Sequence, residues 1–409
     1  MRRWFGRVLA MFMVVCTVFL GIVGYTYSKL PDTFLVPQGQ QLTIAPMPWV
    51  GVQRGSGASP AGAQEVGSNY NTTLALWGVI PLKTVRTVVV DRRVVSVCGT
   101  PFGIKMFSDG AMVVGFTDIY TANGYQNPAK ESGLKLGDLL VSIGGAKVTS
   151  NDDVKKALQK AQGQAVTVRY NREGQAYNTT LTPVRDPSTG DYKAGMWVRD
   201  SSAGVGTLTF VDNTTGMFGG LGHSISDADT GESITLLKGE IVPVEIIGYQ
   251  RGEVGAPGQL KGRFSSDIAV GTILTNDSTG VYGAVRTLLN GRDMTVAQAQ
   301  EVIPGEAQVL TTIDGSTPKL YDIRIEKVSL SEEDPNRNMV LRVTDEELLA
   351  ATGGIVQGMS GSPILQNGRL VGAVTHVLVN DPTRGFGIFA ETMLSRADTL
   401  SQQKEGKAA

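Results

Sequence analysis

Residues 8–27 are apolar almost without interruption. About 20 such residues suffice to cross a bilayer as a helix. Arg2, Arg3 and Arg7 precede the run and place its N-terminal flank in the cytoplasm. A cleavable leader is the competing reading, although the run is long for one and no Ala-x-Ala site follows it. Either way, everything beyond Ser28 is expected to be exported. Downstream the pattern changes to short runs rich in β-branched residues. Examples are Thr87-Val88-Val89-Val90, Val94-Val95-Ser96-Val97 and Val166-Thr167-Val168-Arg169-Tyr170, which read as strands. Pro363-Ile364-Leu365 and Leu370-Val371-Gly372-Ala373-Val374-Thr375 flank Asn367-Gly368, the dipeptide of a type I′ hairpin. Helical signals are few. Asn151-Asp152-Asp153 starts a helix through Val154, Ala157 and Leu158. Thr344 and Glu347 suit a capping box, with Asp345 in the first helical turn. The pattern therefore predicts a mainly β chain behind one N-terminal transmembrane helix.

Composition marks the joints. Residues 54–68 contain Gly55-Ser56-Gly57-Ala58-Ser59-Pro60-Ala61-Gly62-Ala63 and read as a flexible linker. Residues 183–194 are rich in turn formers. The divisions expected are an Arg flank and anchor or signal over 1–30, an exported segment over 31–99, one domain over 100–185, a second over 190–400 and a tail over 401–409. A chain of 409 residues with 41% hydrophobic and 18% charged residues can build two or three substantial cores. Its net charge of −1 gives no electrostatic reason to bind nucleic acid. Cys16 and Cys98 are the two cysteines, and one lies in the apolar run, so no disulfide is expected. The two histidines, His223 and His376, form no Cys/His cluster, so neither a metal site nor a cofactor is expected.

Gly358-Met359-Ser360-Gly361-Ser362-Pro363 is the stretch that carries chemistry. A serine between glycines suits a tight turn that presents a nucleophile. Backbone N–H groups of Gly358 and Ser360 would face the oxyanion that forms when it attacks a carbonyl. A serine hydroxyl needs an adjacent imidazole to take its proton. His223 ends a glycine-rich strand and precedes Ser360 in the chain, whereas His376 sits on the second strand of the Asn367-Gly368 hairpin. That order resembles the histidine-before-serine order of chymotrypsin-like barrels, which implies His223 as the base and Thr375 and His376 as lining the substrate strand. The orienting acid has two candidates. Asp267 begins an apolar stretch after His223, and Asp345 lies shortly before Ser360 but also suits a helix start.

Three resemblances follow from these residues. Pro101-Phe102-Gly103-Ile104-Lys105, together with Leu134-Lys135-Leu136-Gly137-Asp138-Leu139-Leu140, resembles a PDZ domain. This implies that Phe102, Gly103 and Ile104 capture a peptide end added as a strand. The Ser360 turn resembles the Gly-Asp-Ser-Gly-Gly-Pro turn of chymotrypsin-like peptidases, with Met359 in place of the Asp. This implies a double β-barrel in which the spacing from His223 favours Asp267. Gly354 stands six residues before the nucleophile, where a charge selector would sit, and selects nothing by charge. Finally, the run from Thr352 through Ile364, with Gly372-Ala373-Val374-Thr375-His376-Val377 and Gly222-His223-Ser224-Ile225-Ser226-Asp227, resembles the stage IV sporulation protein B peptidases. That resemblance implies Asp345 as the acid. It also implies a serine endopeptidase anchored in the space between the forespore membranes. Such an enzyme cuts itself and a membrane-bound regulator of an intramembrane protease that matures a late sigma factor. Its PDZ ligand would be a peptide such as its own N-terminal segment. The alternative from another class is a membrane-tethered PDZ adaptor with an inactive peptidase fold.

Overall fold

The computed structural model describes residues 2–53, 65–226, 230, 236–287 and 291–408. Most of the linker expectation, residues 54–64, lies outside them, as does Asp227. The first helix, α1 (Arg2–Lys29), has a mean hydropathy of 2.2 over Leu9–Lys29 and exposes Leu9, Phe12, Val15 and Leu20. Its length and composition suffice to cross a membrane. Behind it, β1 (Thr33–Pro37), β2 (Val50–Val52), β3 (Asn69–Leu76) and β4 (Ile80–Val90) form a sheet in the order β1-β4-β3-β2, with β1 parallel to β4. Phe34, Val36, Leu74 and Val85 of this sheet are buried in one cluster with Val309, Ile325, Leu341 and Val371 of the C-terminal barrel. Residues 31–99 are thus built into the molecule. β5 (Val94–Val97) then leads to β6 (Pro101–Phe116).

β6 is the longest strand but one, and it explains the architecture. Its first half pairs with residues 201–207 on one side and with residues 236–243 on the other. Those strands continue through Gly271–Asp277, Gly280–Val285 and Met217–Gly220 back to the strand Met196–Asp212, closing a ring. The second half of β6 belongs elsewhere. Met112 and Val113 pair with Arg199 and Val198, and Ala111 pairs with Leu140. Between the two halves of this ribbon sit α2 (Pro128–Glu131), α3 (Asn151–Ala161) and the strands Leu139–Ile143, Val166–Arg172 and Gln175–Leu181. Val113, Leu140, Val154, Leu158 and Val168 form the core there. The PDZ-like unit is therefore inserted into the first barrel through two shared strands. The boundary expected at residue 100 does not follow this pairing, because residues 101–108 are a barrel strand.

The second barrel is closed by Gly305–Thr311, Lys319–Val328, Met339–Val343, Asp381–Phe389, Arg369–Leu378 and Pro363–Gln366, in that order of neighbours. The hairpin at Asn367-Gly368 forms as its sequence dictates, with Asn367 and Gly368 both at positive φ. α4 (Glu346–Thr352) precedes the Ser360 turn, and α5 (Ala390–Ala408) closes the chain. Residues 401–408, expected as a tail, extend α5. Its Met393, Leu394 and Ala397 pack against Val95, Phe210 and Tyr282, which joins the two barrels. Both cysteines are free, Cys98 in the interior and Cys16 on α1.

Candidate active site

The Ser360 turn belongs to the second barrel but is held by the first. Thr207 N–H donates to the Ser360 carbonyl at 2.9 Å, Thr207 Oγ1 to the Gly358 carbonyl at 2.9 Å, and Thr209 Oγ1 to the Gly361 carbonyl at 2.7 Å. Gly361 N–H donates to Val374 at 2.7 Å. Gly358 and Gly361 have φ of 98° and 92°, a region closed to side chains without strain. A Cβ on Gly361 would also overlap the Thr207 carbonyl. Ser362 is buried and shares a 2.8 Å hydrogen bond with Thr311 Oγ1, so it serves the packing beneath the turn. With these bonds made, the amides of Gln357, Met359, Gly361 and Ser362 are all used. Those of Gly358 and Ser360 donate to nothing among the described residues. They are the two amides expected from the sequence to face an oxyanion.

His223 arrives from the other side. Leu221 and Gly222 are consecutive left-handed residues, at φ 65° and 73°, and turn the chain out of Met217–Gly220. His223 Nδ1 lies 2.8 Å from the Ser224 carbonyl. A carbonyl only accepts, so Nδ1 carries the proton and Nε2 keeps its lone pair. Burial lowers the imidazole's pKa, opposed by that carbonyl. The His376 ring lies against it, tilted by 34°, with ring centroids 4.7 Å apart. The pKa of His376 is lowered to about 4 by burial, then by the charges of His223 and Arg337, and its Nδ1 is buried without a partner. Both rings are neutral at pH 7. Ser360 Oγ donates to the Thr375 carbonyl at 2.7 Å, so its hydroxyl rests on the edge of the expected substrate strand. Thr375 itself is buried, its hydroxyl bonded to the Asn336 carbonyl at 2.6 Å.

The structure brings together Ser360, Gly358, Thr375, His376 and His223, but neither candidate acid. Asp345 is the N-cap of α4. One oxygen accepts from Leu348 N–H at 2.9 Å and the other from Asp322 N–H at 3.2 Å. The capping role expected of Thr344 falls to Asp345. Asp267 is 92% exposed and pairs with Lys105 at 2.7 Å. Among the described residues no carboxylate touches His223. What holds the loop is Asn276, whose amide accepts from Ile225 N–H at 2.7 Å and donates to the Ile225 carbonyl at 3.0 Å. Sequence reasoning missed Asn276, Thr207 and Thr209, because nothing local to them announces a contact more than 50 residues away.

The peptide-capture site expected at Phe102, Gly103 and Ile104 is also displaced. Phe102 and Ile104 are 4% and 3% exposed in the first barrel's core. Both backbone edges of this segment are taken by neighbouring strands, leaving no place for an added one. The strand beside α3 is instead Met196-Trp197-Val198, which pairs with β6 on one edge. A cleft of about 900 Å³ lies between that strand and Asn151, Val154 and Leu158 of α3.

The model of the SpoIVB peptidase S55 family matches residues 190–394, half of this chain. The chain belongs to that family. A PDZ domain model matches residues 117–182, which lie within the insertion in the first barrel. A putative zinc metalloprotease of Staphylococcus aureus (strain N315) is 43% identical over 56 residues, 14% of this chain and 13% of its own. Serine protease HTRA1 of Xenopus tropicalis is 41% identical over 56 residues, 14% and 12% of the two chains. The chain thus covers about an eighth of the length of these curated relatives. Among solved structures, the active form of the Rv3671c protease from M. tuberculosis aligns at 16% identity and a TM-score of 0.29, over 48% of this chain and 74% of that one. The PDZ domain of an SdrC-like protein from Listeria monocytogenes aligns at 19% identity and a TM-score of 0.18, over 22% and 87%.

Proposed function

We propose that this chain is a serine endopeptidase in which Ser360 is the nucleophile and His223 the base. The observation that carries the reading is the pair of amides at Gly358 and Ser360, held free while every neighbouring amide is bonded. In the reaction, Ser360 Oγ leaves the Thr375 carbonyl and bonds to the scissile carbonyl carbon as its proton passes to His223 Nε2. The carbonyl oxygen becomes an anion and accepts from the two amides. His223 then protonates the leaving amine, and water repeats the cycle on the acyl-enzyme. The Ser224 carbonyl holds the tautomer that a carboxylate holds in a triad, so the unit acts as a dyad. Thr375 and His376 border the substrate. The cleft beside α3 takes a peptide as a strand along Met196-Trp197-Val198. α1 anchors the chain, with the barrels on the far side of the membrane from Arg2 and Arg3. The family's name and the motif resemblance support a sporulation role: self-cleavage, and cleavage of a membrane-bound regulator of an intramembrane protease in the forespore intermembrane space.

One observation favours the inactive-adaptor reading: Ser360 Oγ is bonded to Thr375 and not to His223. A fluorophosphonate probe separates the two. Covalent labelling of the wild-type chain, lost in Ser360→Ala at an unchanged thermal midpoint, is expected of the peptidase. Absence of labelling in both, with no self-cleavage, would establish the adaptor.

A further inference from the structure

The turn between β3 and β4 is built from the wrong residues for a turn in water. Leu76 accepts from Val79 N–H at 3.0 Å, and Trp77 and Gly78 both have positive φ, at 51° and 71°. That geometry favours Asn-Gly, and a bulky aromatic in the left-handed region is an outlier. Nine consecutive residues from Leu74 to Leu82 carry no charge. At the tip, Trp77 is 64% exposed, Val79 67% and Ile80 39%. Trp49 adjoins them, its carbonyl accepting from Trp77 N–H at 2.7 Å, and it too is exposed.

The register says where this tip points. β1 leaves α1 and runs parallel to β4, with Thr33 opposite Arg86. Three residues further back, Lys83 Nζ donates to the Leu30 carbonyl at 2.6 Å, pairs with Asp32 at 2.7 Å and lies 5.3 Å from the Tyr27 ring centre. Lys83 thus marks the level at which α1 ends. From there β4 runs back toward the helix side, and at about 3.3 Å per residue the turn at Gly78 lies up to roughly 16 Å beyond Lys83. The exposed indoles therefore lie on the side of the sheet from which α1 emerges. Trp is enriched where water meets lipid, because its ring is apolar and its N–H polar.

We propose that the β3–β4 turn, with Trp49, is a second membrane contact that dips into the headgroup layer of the bilayer holding α1. It rests on the reading of α1 as an anchor. Two attachments fix the tilt of the barrels, whereas one helix leaves them free to swing. The left-handed tryptophan is kept because lipid covers it.

The test uses the full chain carrying Ser360→Ala, reconstituted in vesicles of phosphatidylcholine and phosphatidylglycerol. Trp4, Trp49 and Trp197 are changed to Phe, leaving Trp77 as sole reporter. A sister variant keeps only Trp197, and circular dichroism checks both folds. Blue-shifted Trp77 emission, quenched more than twofold by lipids brominated near the headgroup, is expected, with Trp197 unquenched. Trp77 emission as in water and unquenched, in a chain that stays on the vesicles through an alkaline wash, would overturn the turn's role alone. A chain removed by that wash would overturn the anchor reading and this proposal with it. Blue-shifted emission that is unquenched and depends on protein concentration would assign the tip to a second copy of the chain instead.

Discussion

At the scale of single residues, the proposed reaction depends on an imidazole kept neutral by burial and aligned by a main-chain carbonyl. A base must be unprotonated to work. With the pKa of His223 held below the usual 6.5, activity should persist as pH falls and disappear only through that lowered value. A pH–rate profile of kcat/KM is expected to show an acidic limb centred below 6.5. A limb above it would mean that a carboxylate reaches the ring in the working enzyme. The same arrangement decides the role of Asp345. Both its oxygens cap α4 and the chain beside it, so Asp345→Asn, which keeps an accepting oxygen, should retain activity within severalfold. Asp345→Ala should lower stability by about 1 kcal/mol. A loss approaching 10⁴-fold in folded Asp345→Asn would restore it as the triad acid. The tight turn at Ser360 was legible in sequence because its glycines are spaced for positive φ, which Gly358 and Gly361 adopt. The contact of His223 Nδ1 with the Ser224 carbonyl was not, since a main-chain carbonyl has no letter of its own. The capping signal around Asp345 matches the hydrogen bond it accepts from Leu348 N–H.

At the scale of elements, the strands were legible and their partners were not. Period-two patterning says that a segment is extended and half-buried, but not what it pairs with. β6 therefore passed for a PDZ strand, although its first half is a wall of the catalytic barrel. The ribbon bears a register shift between Arg199 and Ser201, close to where Ser108 Oγ donates to the Asp200 carbonyl at 3.2 Å. Removing residues 109–199 and joining Ser108 to Asp200 through Asn-Gly should leave the barrel ring closed and Ser360 reactive toward a fluorophosphonate. Removing residues 100–185 should abolish folding, because it takes a barrel strand out of the ring. Circular dichroism and probe labelling of the two deletions check this. A folded, reactive second deletion beside a collapsed first would mean that residues 101–108 belong with the insertion after all.

At the scale of the whole molecule, the same barrel that seats His376 also meets α5, and two half-buried groups on these elements pull stability in opposite directions as pH changes. His376 has its pKa lowered to about 4 from 6.5. Between those values the unfolded chain binds a proton that the folded chain refuses, so its contribution weakens as pH falls from 6.5 to about 4. Glu391, at the start of α5, accepts from Ala299 N–H at 2.7 Å, and burial raises its pKa to about 7 from 4.5, helped by the charge of Glu301. Between 4.5 and 7 the folded chain binds the extra proton, so its contribution strengthens as pH falls through that range. The overlap from 4.5 to 6.5 leaves these two effects opposed in the native chain. In the Ser360→Ala background, chosen to remove the proposed self-cleavage, Glu391→Gln should be the more stable protein at pH 8 and lose that advantage on acidification. His376→Asn should instead gain stability relative to its parent as pH falls from 6.5 to 4.5. Calorimetric midpoints at pH 8, 6.5 and 4.5 measure both slopes. If the two variants shift in parallel across that range, the groups are not desolvated in solution. The neutral His223–His376 pair proposed for the site would then have to be abandoned too.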